Sequence, residues 1–77
     1  MQQSRRPQPG LGKAIRQLRE KREITQEDLA EAAGITVRTL SQLETGNSNP
    51  TWATVGDIGR ALGVSIADLA KRSEQNA

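Results

Sequence analysis

The chain has 77 residues, of which 34% are hydrophobic, 26% charged and 1% aromatic, with a formal net charge of +2; that length holds one small domain that buries about 60% of its unfolded surface. With no Cys and no His, disulfide staples, a structural zinc site, a thiolate nucleophile and a His general base are excluded. No apolar run is long enough for a membrane-spanning helix and the polar stretch after Met1 is not a secretory signal, so a soluble, cytoplasmic protein with no metal and no cofactor is expected.

Residues 1–9 carry Arg5, Arg6, Pro7 and Pro9 and no apolar residue after Met1, which reads as a flexible basic arm with nothing to bury. From Gly10 a helix is predicted to about Arg22, because Leu11, Ile15 and Leu18 recur at helical spacing. Thr25, with Asp28 three residues on, marks the N-cap of a second helix. Leu29, Ala30 and Ala33 form its inner face, and Gly34 ends it as the residue able to take a positive φ. Ile35 lies in the turn, Thr36 caps a third helix with Leu40 and Leu43 inside, and that helix stops before Gly46. A polar loop, Asn47 to Pro50, leads to Thr51, the cap of a fourth helix with Val55, Ile58 and Leu62 inside and Gly63 at its end. Gly56 and Gly59 within it each cost about 1 kcal/mol against Ala, and close helix packing is the expected reason. Ser65 and Asp68 cap a fifth helix with Ile66 and Leu69 inside, and residues 72–77 read as a frayed tail. The expected architecture is all-α: a compact bundle of five short helices over residues 10–71.

Charge is unevenly spread. Residues 1–23 hold seven basic and two acidic side chains, residues 24–77 four basic and seven acidic. That asymmetry points to an anionic partner met from one side, although ordinary solvated charge accounts for it equally well.

Gln26 to Glu44 places two helices on either side of the Gly34 turn, with small Ala30 allowing a close crossing and apolar residues locking its angle. This is helix-turn-helix logic, which leaves one face of the third helix free to enter a major groove. Here the sequence resembles the Cro and phage-repressor helix-turn-helix family, also called the XRE family, whose domain is lambda-repressor-like. The resemblance runs from Leu11 to Leu69. Its pieces are Ile15-Arg16-Gln17-Leu18-Arg19, Thr25-Gln26-Glu27-Asp28-Leu29-Ala30, Gly34-Ile35-Thr36, Leu40-Ser41-Gln42-Leu43-Glu44 with Gly46, Asn49-Pro50-Thr51 and Ala61-Leu62-Gly63-Val64-Ser65.

The resemblance implies a recognition helix over about 36–45, with Thr36, Val37, Arg38, Ser41 and Gln42 as the residues that read bases. Arg38 suits guanine O6 and N7, Gln42 adenine N6 and N7, and Val37 a thymine methyl. It implies phosphate contacts from Gln26, Asn47, Asn49 and Thr51, with the amides at the starts of the second and fourth helices adding to them. Gln26 would also brace Gln42. Arg19 and Glu44 match a structural salt bridge between the first helix and the end of the recognition helix. Many relatives carry Lys or Arg where this chain has Asn47 and Ser48, so phosphate attraction in that loop is weaker here. The bland readings stand beside these: a cap at Thr36, helix packing at Val37, a loop-holding bond at Asn49, and a tail at Arg5 and Arg6 that touches nothing instead of entering a minor groove. Trp52, the sole aromatic residue, is either a core or edge anchor or packs on a sugar-phosphate strand.

The function expected is sequence-specific binding of double-stranded DNA as a transcriptional regulator, a repressor sooner than an activator. The protein would act as a homodimer without a small-molecule ligand or a membrane. Val64, Ile66 and part of Leu69 either form the dimer surface or close the monomer core. The alternative is an antitoxin or adaptor module that binds a protein and DNA only secondarily. An enzyme is not expected, because no nucleophile with a base and no phosphate-cradling glycine loop is present. Single-strand stacking lacks the aromatics it needs.

Overall fold

The protein is described by a computed structural model over residues 9–76. The basic arm with Arg5 and Arg6 therefore lies outside the described residues, apart from Pro9. The helices are α1 Pro9–Lys21, α2 Gln26–Ala33, α3 Val37–Glu44, α4 Trp52–Leu62 and α5 Ile66–Gln75, with no strand among the described residues.

Local chemistry accounts for most of the helix ends. Thr25, Thr36, Thr51 and Ser65 all have extended backbones, and each side-chain oxygen accepts the amide three residues on, at 3.0–3.1 Å. The amides of Asp28 and Asp68 are satisfied in this way. Neither carboxylate returns the bond to its cap, so both capping boxes are half made. Gly34, at φ 73°, donates to Ala30 and Glu31 carbonyls while the Ile35 amide reaches Ala30 O at 2.9 Å. The chain is thereby reversed within two residues, and α3 starts immediately afterwards.

Two boundaries differ from the sequence reading, the start of α1 and the end of α5. Pro9 opens α1 instead of closing the arm, since its fixed φ suits a first helical residue and its missing amide proton costs nothing there. The stop of α1 is made by Glu23, a non-glycine residue at φ 58°. At the other end α5 runs on past Arg72 to Gln75. Asn76 holds it: its Nδ2 donates to Arg72 O at 2.8 Å and to Gln17 Oε1 at 3.3 Å, tying the last turn to α1.

The core is aliphatic. Ile15, Leu29, Leu40, Ile58, Leu62 and Leu69 are fully buried, joined by Leu11, Leu18, Ala30, Ala33, Leu43 and Val55. α5 packs chiefly along α1, and α2 lies between α4 and α3. Gly12 marks the closest approach of α1 to the end of α3, where a Cβ would collide with the Leu43 carbonyl oxygen. Gly59 is also required by packing, because a Cβ there would sit 2.9 Å from Val64 O. Gly56 is not, since its Cβ would make only ordinary contact with Ile66. Leu69 turns into the monomer core and half-buried Val64 packs against it, whereas Ile66, expected inside α5, stays half-buried at the surface.

Candidate nucleic-acid interface

The face of α3 that matters is defined by what its other face buries. Leu40 is 0% and Leu43 2% exposed, so the helix has one rotational setting. In that setting Val37, Arg38 and Gln42 are exposed and Ser41 is half-buried. Positions 38 and 42 are four residues apart and therefore adjacent on one side, as are 37 and 41. Among the described residues Arg38 makes no ion pair, leaving its five donors open to a ligand. Thr36 is exposed, but its hydroxyl is engaged. It accepts from the Thr39 amide at 3.0 Å and donates to Thr39 Oγ1 at 2.9 Å.

The residues expected to contact phosphate stand at the starts of α2 and α4 and in the loop after α3. Gln26 is the first residue of α2 and half-buried; Thr51 is the exposed cap of α4. Thr51's hydroxyl is shared with Thr54, at 3.0 Å from its Oγ1 and 3.1 Å from its amide. In the loop, Asn47 donates to Thr45 Oγ1 at 3.3 Å, and Thr45 Oγ1 donates to Gln42 O at 3.0 Å. Asn49 is exposed and makes no side-chain bond among the described residues. The loop-holding role therefore belongs to Asn47 instead. The acidic residues of α2, Glu27, Asp28 and Glu31, are all exposed.

Beneath the face is a buried ionic network. Arg19 Nε donates to Glu44 Oε2 at 2.7 Å and Arg19 NH2 to Glu44 Oε1 at 3.0 Å, a bidentate pair whose side chains are 13% and 4% exposed. Arg19 NH1 also donates to Ile24 O at 3.0 Å. Hydrogen bonding to Glu44 raises the Arg19 pKa above its ordinary value against the opposing effect of burial, and nearby carboxylates add to the rise. Glu44 stands in the last turn of α3, which has no basic residue of its own. A carboxylate there opposes the helix dipole, so Arg19 is what stabilises it. Gln26 Nε2 donates to the same Glu44 Oε1 at 3.1 Å. The bracing of Gln42 implied by the resemblance is thus not what Gln26 does here; its partner is the carboxylate two residues closer to the end of α3.

Sequence reasoning assigned Trp52 to no single role. It is 73% exposed and borders a groove of about 390 Å³ lined also by Leu11, Pro50, Val55, Ile66 and Ala70. No helix among the described residues is long and apolar enough to cross a membrane.

Residues 15–69 match the helix-turn-helix family, and the chain belongs to it, to the Cro and phage-repressor type. The family is one of DNA-binding transcriptional regulators and not of enzymes. An uncharacterized HTH-type transcriptional regulator of Sinorhizobium fredii is 34% identical over 65 residues, spanning 84% of this chain and 84% of its own length. The cryptic phage CTXphi transcriptional repressor RstR of Vibrio cholerae is 37% identical over 62 residues, 80% of this chain, which spans 56% of RstR. Among solved structures, the clp gene regulator ClgR from Corynebacterium glutamicum superposes with a TM-score of 0.85 at 31% identity, covering 88% of this chain and 72% of its own.

Proposed function

We propose that this helix-turn-helix chain is a sequence-specific repressor that binds a two-fold operator in double-stranded DNA as a homodimer, with α3 in the major groove. One observation carries the reading: the rotational setting forced by Leu40 and Leu43 leaves unpaired Arg38 and exposed Gln42 side by side on the free face of α3. Arg38 and Gln42 read base edges, Val37 meets a thymine methyl, and Ser41 lies at the margin. Thr36 contributes less, because its hydroxyl is engaged with Thr39. Gln26, Asn47, Asn49 and Thr51 position the duplex through its phosphates. Arg5 and Arg6 of the proposed arm add contacts to the adjacent backbone or minor groove. The repressor assignment draws on the likeness to RstR.

Two copies meet through the outer side of α5, where Ile66 and Ala70 lie beside Trp52. Leu69 and Val64 take no part, being used in the core. The same groove favours the second reading, an adaptor or antitoxin that holds a protein partner there. Selection from a random duplex library at about 150 mM salt tests both. A symmetric consensus with half-sites about 10 base pairs apart is expected. No enriched sequence would overturn DNA recognition by α3, and enrichment of one isolated half-site would overturn the homodimer.

A further inference from the structure

The network under the recognition helix has a consequence for Gln26 that its stability role does not contain. An ionised carboxylate only accepts hydrogen bonds, so Glu44 Oε1 dictates which end of the Gln26 amide faces it: the nitrogen, at 3.1 Å. Glu44 is itself immobile, 4% exposed and gripped by two nitrogens of Arg19 at 2.7 and 3.0 Å. Arg19 is anchored in turn on Ile24 O. An amide at the half-buried start of α2 is thereby held in one of its two flips by a charge almost wholly shielded from solvent. That leaves one N–H and the carbonyl oxygen of Gln26 with no partner among the described residues. We propose that Glu44 is a positioning residue for DNA binding: it orients the Gln26 amide so that the free N–H is presented to a backbone phosphate. The inference rests on the DNA-binding reading above.

Glu44→Gln separates this role from its rivals, because it keeps the side chain's size but accepts either amide flip. It also removes a negative charge near a polyanion, which by electrostatics alone tightens binding. Positioning has the opposite sign. Affinity for a random-sequence 20-base-pair duplex at about 50 mM salt is measured for the wild type, Glu44→Gln, Gln26→Ala and the double variant. Each is assayed at a temperature where circular dichroism shows it folded. The expected result is a loss of about three- to tenfold for Glu44→Gln, shrinking to less than about twofold when Gln26 is already Ala. Equal losses in both backgrounds would overturn the proposal, since Glu44 would then act through the tilt of α3. Unchanged or tighter binding by Glu44→Gln would overturn it as well. A wild type that binds no duplex would reject the DNA-binding reading itself, an outcome visible without any variant.

The native protein supplies a second measurement, independent of whether Glu44→Gln folds. The Gln26 side-chain amide protons, identified by their loss in Gln26→Ala, should exchange with water and rotate more slowly in NMR spectra than those of exposed Gln42. A Gln26 pair indistinguishable from that of Gln42 would refute the constraint.

Discussion

Glu44→Ala tests the architecture most directly. The substitution removes the acceptor of two Arg19 bonds and one Gln26 bond while leaving a guanidinium that is only 13% exposed. Breaking one half of a buried pair costs about 3–5 kcal/mol. The lower end applies here, because Arg19 keeps its bond to Ile24 O and retains some access to water. A loss of about 3 kcal/mol lowers Tm by about 12–24 °C in a domain of this size. Total stability at this length is about 4–12 kcal/mol, so the variant would be marginal near 37 °C. The assay is thermal unfolding followed by circular dichroism, without DNA. Replacing both partners, Arg19→Met with Glu44→Met, should recover most of the loss, because two apolar side chains leave no unpaired charge behind. The pair's coupling should also be the same at pH 7 and about pH 9. The raised Arg19 pKa means that its contribution is complete below the guanidinium's unfolded value and is lost only as pH climbs through the still higher folded one. A single variant melting within about 4 °C of the wild type would refute the reasoning.

Gln42→Ala should relax selection at one base position by about 1–3 kcal/mol, read from the consensus it enriches, with little change in affinity for random DNA. Arg38→Ala should do the same at a second position and also flatten the slope of log affinity against log salt, by about 1 if Arg38 neutralises a phosphate on non-specific duplexes. Glu23→Gly should raise stability by about 0.5–1 kcal/mol, since the left-handed conformation at φ 58° suits glycine and not a side chain with a Cβ. Tm measurements check it, and a destabilised variant would contradict the strain argument. Gly56→Ala should be neutral or add up to about 1 kcal/mol, whereas Gly12→Ala should cost about 3 kcal/mol or more, because the obstructing atom is a backbone carbonyl. Denaturant titration of the two side by side would expose any reversal.

What was legible in the sequence and what was not divides along the reach of the forces involved. Each cap acts across three residues, so Thr25, Thr36, Thr51 and Ser65 announced their helices correctly. The inner faces of α2 to α4 followed from spacing alone. Gly12 was passed over because nothing near it along the chain marks it; its necessity comes from the Leu43 carbonyl on another helix. Gly56 and Gly59 look alike in sequence and differ only in what lies opposite: a yielding Ile66 methyl or the Val64 carbonyl. Ile66 and Leu69, three residues apart at the start of one helix, were read together as inner positions. Only the docking of α5 on α1 decides that Leu69 is buried and Ile66 left at the groove. The Gln75 end of α5 is closed by Asn76, whose local bond to Arg72 O is joined by one to Gln17 on α1 that no local rule contains.

The exposed face of α3, proposed to read bases, was legible for a related reason. Leu40 and Leu43 fix it within a single helix, so its residues follow from periodicity once the turn at Gly34 is recognised. The set proposed to contact phosphate is different in kind. Gln26 and Glu44 are 18 residues apart and Arg19 and Glu44 are 25 apart. Whether Gln26 meets Gln42 or Glu44 is therefore decided by how α2 crosses the end of α3, a crossing set in part by α1 closing against Leu43 at Gly12. If that is correct, Gly12→Ala should disturb more than stability: by pushing α1 from the end of α3 it displaces Arg19 from Glu44 and loosens Gln26. Random-duplex affinity should fall even where the variant is fully folded, and binding equal to the wild type under those conditions would show that the site does not depend on the crossing.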